Sequence, residues 1–81
     1  MNKPKNGYLV KFGLNIKKIR EGLKMSQDDV VANSYKLTKG TLSDIENGKR
    51  NLSFTTLVDL AKGLGKEPKE LLDFKFDLDK E

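Results

Sequence analysis

The sequence predicts an all-α fold, a compact bundle of four to five short helices. Three observations predict it. Apolar residues recur at intervals of three and four through most of the chain. The same phrase, an apolar residue and a hydroxyl residue answered by a polar and an apolar one, opens at Ser26, Thr38 and Ser53, as caps and hydrophobic staples do. The 81 residues are 36% hydrophobic and 35% charged, which suits one small globule with a modest core and a heavily solvated surface.

Residues 1–9 hold Pro4, Gly7 and two lysines and read as a flexible basic arm. Residues 10–73 read as the folded domain. Its first helix runs from about Val10 to Glu21. Phe12, Ile16, Ile19 and Leu23 form the inward stripe, and Lys11, Lys17, Lys18 and Lys24 fall off it. Gly13 weakens this helix by ~1 kcal/mol relative to Ala, and Gly22 stands where a stop is expected. The second helix, Gln27 to about Asn33, opens on Ser26. Asp29 completes a capping box, and Asp28 and Asp29 suit the positive end of the helix dipole.

A polar turn, Asn33-Ser34-Tyr35-Lys36, leads to the third helix. Thr38 caps it, Leu37 and Leu42 staple it, Leu42 and Ile45 share its inner face, and Gly48 ends it. Ser53 opens a fourth helix with Leu57, Leu60, Ala61 and Leu64 inward and Gly65 as its stop. Pro68 suits the first position of a short fifth helix reaching to about Asp73, with Leu71 and Leu72 inward. Residues 74–81 form an acidic tail. Its phrase Phe74-Lys75-Phe76-Asp77-Leu78-Asp79 alternates as a strand does. A strand there needs a partner edge, from a second copy or from the Tyr8-to-Phe12 region, and the alternative is an unstructured tail.

Composition narrows the function. The chain has no Cys and no His. Disulfides, thiolate and imidazole metal sites, and the usual nucleophile–base pairs are therefore ruled out, and a reducing cytoplasm is compatible. No metal site, no cofactor and no enzyme activity is expected. No apolar run approaches the ~20 residues that cross a bilayer, so no membrane partner is expected either. Residues 1–66 carry 13 Lys and Arg against 6 Asp and Glu, a balance of +7, and the last fifteen residues carry 3 against 6. A basic body points to a polyanion.

The second and third helices, joined by a tight turn, have the layout of a helix-turn-helix. In that layout the first helix of the pair lies across the DNA backbone, and the second puts its early residues into the major groove. The outward face of the third helix, Lys39, Gly40, Thr41, Ser43, Asp44 and Asn47, is short and mostly uncharged. Lys39 can donate to guanine, the Thr41 methyl can meet a thymine methyl, and Asp44 can accept from cytosine. Gly40 lets the backbone come close. Gln27 starts a helix where amides can hold a phosphate. Asn47, Lys49 and Arg50 suit phosphate at the far end, and Lys36, in the turn before the helix, and Ser43 are further expected DNA contacts. Each also has a plainer reading: Gln27 and Ser43 as solvated residues, Asp44 as a surface or intramolecular charge, Lys49 and Arg50 as a loop pair.

From about Phe12 to Phe74 the chain resembles the Cro/cI-type, XRE-like regulators, whose fold is the lambda-repressor-like DNA-binding domain. The residues that carry the likeness are Ile16-Lys17-Lys18-Ile19-Arg20, Ser26-Gln27-Asp28-Asp29-Val30, Leu42 through Asn51, and Leu57 through Leu64. The resemblance implies a homodimer on a two-fold symmetric double-stranded operator. It puts Gln27 on phosphate and Lys39, Gly40, Thr41 and Asp44 at base edges. It places Asn47, Lys49 and Arg50 on the backbone, and an ion pair between Arg20 and Glu46. The chain departs from the family in its turn, which lacks glycine and is one residue longer, and in Leu52, where proline is common. A small residue usual in the second helix falls on Val31 or Ala32. The expected function is a sequence-specific regulator, a dimeric repressor or autoregulator acting by operator occupancy. Its dimer contacts are expected at Leu71, Leu72, Phe74, Phe76 and Leu78. The alternatives are an antitoxin whose tail binds a protein partner, and a protein-interaction domain without DNA binding.

Overall fold

A computed structural model describes residues 7–78. They form five helices: α1 (Gly7–Gly22), α2 (Gln27–Asn33), α3 (Lys39–Glu46), α4 (Phe54–Leu64) and α5 (Pro68–Leu71). No strand forms among them, and no helix is long and apolar enough to cross a membrane. α1 packs against α3 and α5, α2 against α3 and α4, and α4 against α5. The core they enclose is Phe12, Ile16, Val30, Leu37, Leu42, Ile45, Leu60, Ala61, Leu64 and Leu71. That set follows the apolar stripes, because a helix buries the side chains that recur every three or four residues.

The caps appear where hydroxyl residues precede the stripes. Ser26 Oγ accepts from the Asp29 amide at 3.0 Å, and the Asp29 carboxylate accepts from the Ser26 amide at 2.8 Å. Thr38 and Ser53 accept from the amides of Thr41 and Thr56. Gly65 ends α4 in the left-handed conformation, φ +68°.

Several expectations change. α1 starts at Gly7, so the proposed arm loses its last three residues to the helix, and residues 1–6 lie outside the described region. Gly22 is not the stop of α1. The left-handed residue is Lys24, φ +59°, and the amides of Lys24 and Met25 close onto the carbonyls of Glu21 and Arg20. Leu23 therefore lies past the helix and is exposed rather than inward. α5 ends at Leu71, two residues short of the expected Asp73, so Leu72 lies past the helix and is exposed rather than inward.

The tail makes no strand in its described part, residues 74–78. It reaches the expected region by side chains instead. Lys11 Nζ donates to the Phe76 carbonyl at 3.1 Å and to the Asp77 carboxylate at 3.0 Å. The Tyr8 and Phe76 rings lie 6.0 Å apart, and Phe74 stacks on Phe76 at 4.5 Å. Asp77 sits at φ +55°, a turn conformation that breaks a strand's two-residue alternation. Asp79 lies outside the described residues.

Candidate nucleic-acid interface

α3 is seated by its neighbours before any ligand is considered. Its inner residues Leu42 and Ile45 are essentially inaccessible. Its far end lies so close to α1 that a Cβ at Gly13 would strike the Ile45 carbonyl oxygen and stand 2.8 Å from that of Glu46. Gly13 is therefore required by a helix crossing, which explains a residue that local propensity only penalises. A second crossing has the same device: a Cβ at Gly63 in α4 would come 2.6 Å from the Val30 carbonyl of α2. Across that crossing Val31 is half-buried against the core while Ala32 is exposed, so Val31 takes the inward place in α2.

The end of α3 closes with two bonds, Gly48 N–H to the Ile45 carbonyl and Lys49 N–H to the Asp44 carbonyl. This is the two-bond glycine stop, with Gly48 at φ +71° against Val10 of α1. It fixes where Lys49 and Arg50 leave the helix.

Arg20 and Glu46 form the expected pair, and it is bidentate. Arg20 Nε and Nη2 donate to Oε2 and Oε1 of Glu46 at 2.7 and 3.0 Å. Arg20 Nη1 donates to the Met25 carbonyl at 2.9 Å. The Glu46 side chain is 4% exposed, so the pair is desolvated. Its hydrogen bond to Arg20, working against burial, raises the guanidinium pKa above its already high ordinary value. Gln27 joins the cluster through Nε2 on Glu46 Oε1 at 3.1 Å. The Gln27 side chain, expected on phosphate, is thus turned inward, because a buried carboxylate oxygen offers it a charged acceptor. One carboxylate links α1, α2 and α3.

The outward face of α3 is as expected in composition. Lys39 and Gly40 are exposed, while Thr41, Ser43 and Asp44 are half-buried. A Cβ at Gly40 would meet nothing within 4 Å, so the backbone is open to close approach. Lys39 lies 3.6 Å from Asp28 of α2, and Asp44 lies 3.8 Å from Arg50. Both contacts are exposed and weak, so a competing phosphate can take the cation. Asn47 is exposed at the end of α3, 3.5 Å from Ser43 Oγ.

Two residues outside the expected set complete this surface. Asp59 of α4 accepts the amide of Tyr35 on Oδ1 at 2.6 Å and that of Lys36 on Oδ2 at 3.0 Å. Ser34 Oγ donates to the Val31 carbonyl and accepts from the Leu37 amide. The Ser34 amide closes onto α2. Every amide from Ser34 to Leu37 is therefore bonded, and the glycine-free turn holds its extra residue without a left-handed one. Partial burial pushes the Asp59 pKa up, but the backbone amides of the turn, those of Lys36 and Tyr35 first, together with the nearby charge of Lys62 outweigh it and hold the group below the ordinary carboxylate value. Nothing in the sequence marked Asp59, since a lone acid between two apolar residues of a helix reads as a solvated charge.

A short helix, a side-chain-pinned turn and a second short helix with a buried inner and a polar outer face define a helix-turn-helix protein. Residues 16–71 match the helix-turn-helix family, and the chain belongs to it. It is 35% identical over 69 residues to the control protein C.BamHI of Bacillus amyloliquefaciens, covering 85% of each chain. Its fold superposes on the restriction-modification controller protein C.AhdI of Aeromonas hydrophila with a TM-score of 0.76 at 33% identity, covering 82% of this chain and 98% of that one. It also superposes on the controller protein C.Esp1396I, solved as a tetramer in complex with its natural 35 base-pair operator. That match has a TM-score of 0.71 at 33% identity and covers 84% and 99% of the two chains. The chain is a DNA-binding transcription regulator of the Cro/cI type.

Of the apolar residues expected at a dimer contact, Leu71 is fully buried in the monomer's own core and so lies on no surface. Leu72 and Leu78 are exposed, and Phe74 and Phe76 are half-buried. Leu72, Phe74 and Phe76 line an apolar cleft of about 320 Å³ together with Phe54, which is 75% exposed.

Proposed function

We propose that this chain acts in the cytoplasm as the controller protein of a restriction-modification system. It is read as a dimer that occupies a two-fold symmetric operator and so sets transcription, without enzymatic activity. The observation that carries this reading is the outward face of α3: an exposed lysine, an open glycine backbone and short hydroxyl side chains on a helix seated by buried partners on its other face. Its likeness to C.BamHI and to an operator-bound controller supports the same reading. Lys39, Gly40, Thr41, Ser43 and Asp44 face the bases. Lys36, Asn47, Lys49 and Arg50 hold phosphates, and Gln27 braces Glu46 from the start of α2. Arg50 leaves Asp44 for a phosphate, which frees Asp44 to accept from a cytosine amine.

The dimer surface is read as the cleft around Phe54, Leu72, Phe74 and Phe76, together with the exposed Leu78. Exposed aromatic and leucine side chains gathered in one place gain most from pairing with their own copies. Leu72→Glu is expected to shift sedimentation toward the monomer while leaving the fold intact.

The test of the operator reading is fluorescence anisotropy across a salt series. One duplex carries the DNA upstream of the chain's own gene, and the other is a scrambled duplex of equal length. Binding to the first is expected to stay ~10³-fold or more tighter near physiological salt. Lys39→Ala should cost about 1–3 kcal/mol on the first duplex and relax discrimination at one position. Equal binding to both duplexes would refute an operator in that DNA.

A further inference from the structure

We infer that Asp59 is a positioning residue for DNA binding, holding the turn before α3 so that Tyr35 and Lys36 both contact the operator's phosphate backbone. The inference rests on the operator reading and adds to it a contact residue, Tyr35, and a residue that acts only through others.

Both oxygens of one carboxylate are used on the amides of consecutive residues, at 2.6 and 3.0 Å. Those two residues are the middle of the turn, and they bury little: Tyr35 is 82% exposed and Lys36 is exposed. The turn's attachment to the core is made elsewhere, by buried Leu37 and by the Ser34 hydroxyl. The Asp59 clamp therefore holds two side chains in water, and its consequence is where they stand. Tyr35 and Lys36 line the same open groove as Thr41 and Arg50, two residues of the α3 surface already read as facing DNA.

The groove is also lined by the hydroxyls of Ser53, Thr55 and Thr56, by Lys62, and by the apolar side chains of Leu52 and Val58. Asp59 is the one acid along that groove among the described residues, and its oxygens are engaged by the amides. A phenol hydroxyl and an ammonium, beside the cations of Arg50 and Lys62 and the hydroxyls of Ser53, Thr55 and Thr56, are donors suited to phosphate oxygens rather than to one base.

The experiment measures binding to the upstream duplex and to a mixed-sequence duplex at several salt concentrations, beginning at low salt. Lys36→Ala should weaken both duplexes by a similar factor and lower the salt slope by about 1. Tyr35→Phe removes only a surface hydroxyl and should weaken both severalfold with an unchanged melting temperature. Asp59→Ala should weaken both by about tenfold, and Asp59→Asn, which keeps one acceptor oxygen, should restore part of that loss. Asp59→Ala added to the Tyr35→Phe/Lys36→Ala pair should cost nothing further, because its partners' contacts are already gone.

Losses that multiply in the triple variant would make Asp59 a structural residue and overturn the inference. Wild-type affinity of Tyr35→Phe and Lys36→Ala would overturn it while leaving the operator reading standing. Failure of the wild-type chain on both duplexes even at low salt would overturn both.

Discussion

Glu46 and Asp59 each use two oxygens to hold the surroundings of α3, one at its far end and one in front of its start. Glu46 accepts from a guanidinium and an amide side chain with its carboxylate almost wholly out of water. Asp59 accepts from two backbone amides at a half-exposed site. The first joint ties three helices, so removing either partner strands a charge in the core. The second ties one turn, and water can replace it. The difference separates two jobs that a DNA-reading helix needs done. Its axis must be fixed rigidly, and the segment entering it must be aimed.

That comparison can be broken or sharpened by experiment. The largest effect is expected at the buried joint: Glu46→Ala should cost about 3–5 kcal/mol, measured by chemical denaturation, because Arg20 loses its charge partner. A loss no larger than that of Asp59→Ala would erase the distinction between the two sites. Next comes Gly13→Ala at the same crossing. Helix propensity alone favours Ala by ~1 kcal/mol. The Cβ, however, meets backbone carbonyls that cannot rotate away, so a net loss of about 1–3 kcal/mol is expected. A gain in melting temperature would mean that α1 and α3 can move apart freely.

The smallest effect is the pH dependence of Asp59. Its folded pKa lies below the unfolded value. Its contribution is therefore complete above the ordinary carboxylate range and is lost only as pH falls through the lower folded pKa. The melting temperatures of wild type and Asp59→Asn should differ by a constant amount from pH 8 to pH 5 and converge in strong acid. Convergence already at neutral pH would show that the carboxylate is not what holds the turn.

The helices were legible because their signals are local. A cap three residues from its amide partner and an apolar stripe every three or four residues need no knowledge of the rest of the chain. Ser26, Thr38, Ser53 and the core leucines are of this kind. The Arg20–Glu46 pair spans 26 residues and entered through family likeness rather than spacing. Gly13 and Gly63 were opaque because a helix crossing is a property of two segments, and a lone glycine shows only its poor propensity. Asp59 was opaque for the same reason, its partners standing 23 and 24 residues away. Lys24 was missed because glycine is the usual left-handed stop, and Gly22 was nearby. The tail's alternation was real, but the Lys11 bonds to Phe76 and Asp77 turn that segment aside before a strand can form.

Those bonds have a consequence for the topology of the chain. Lys11 and Phe76 are separated by 65 positions and touch, so the described backbone almost closes on itself. A short peptide bridging the start of α1 to the described tail at residue 78 would make a ring, and new ends could then be cut in the exposed bend after α4. Such a circularly permuted chain keeps α2, the pinned turn and α3 uninterrupted, so its DNA-facing surface should survive a complete reordering of the sequence around it.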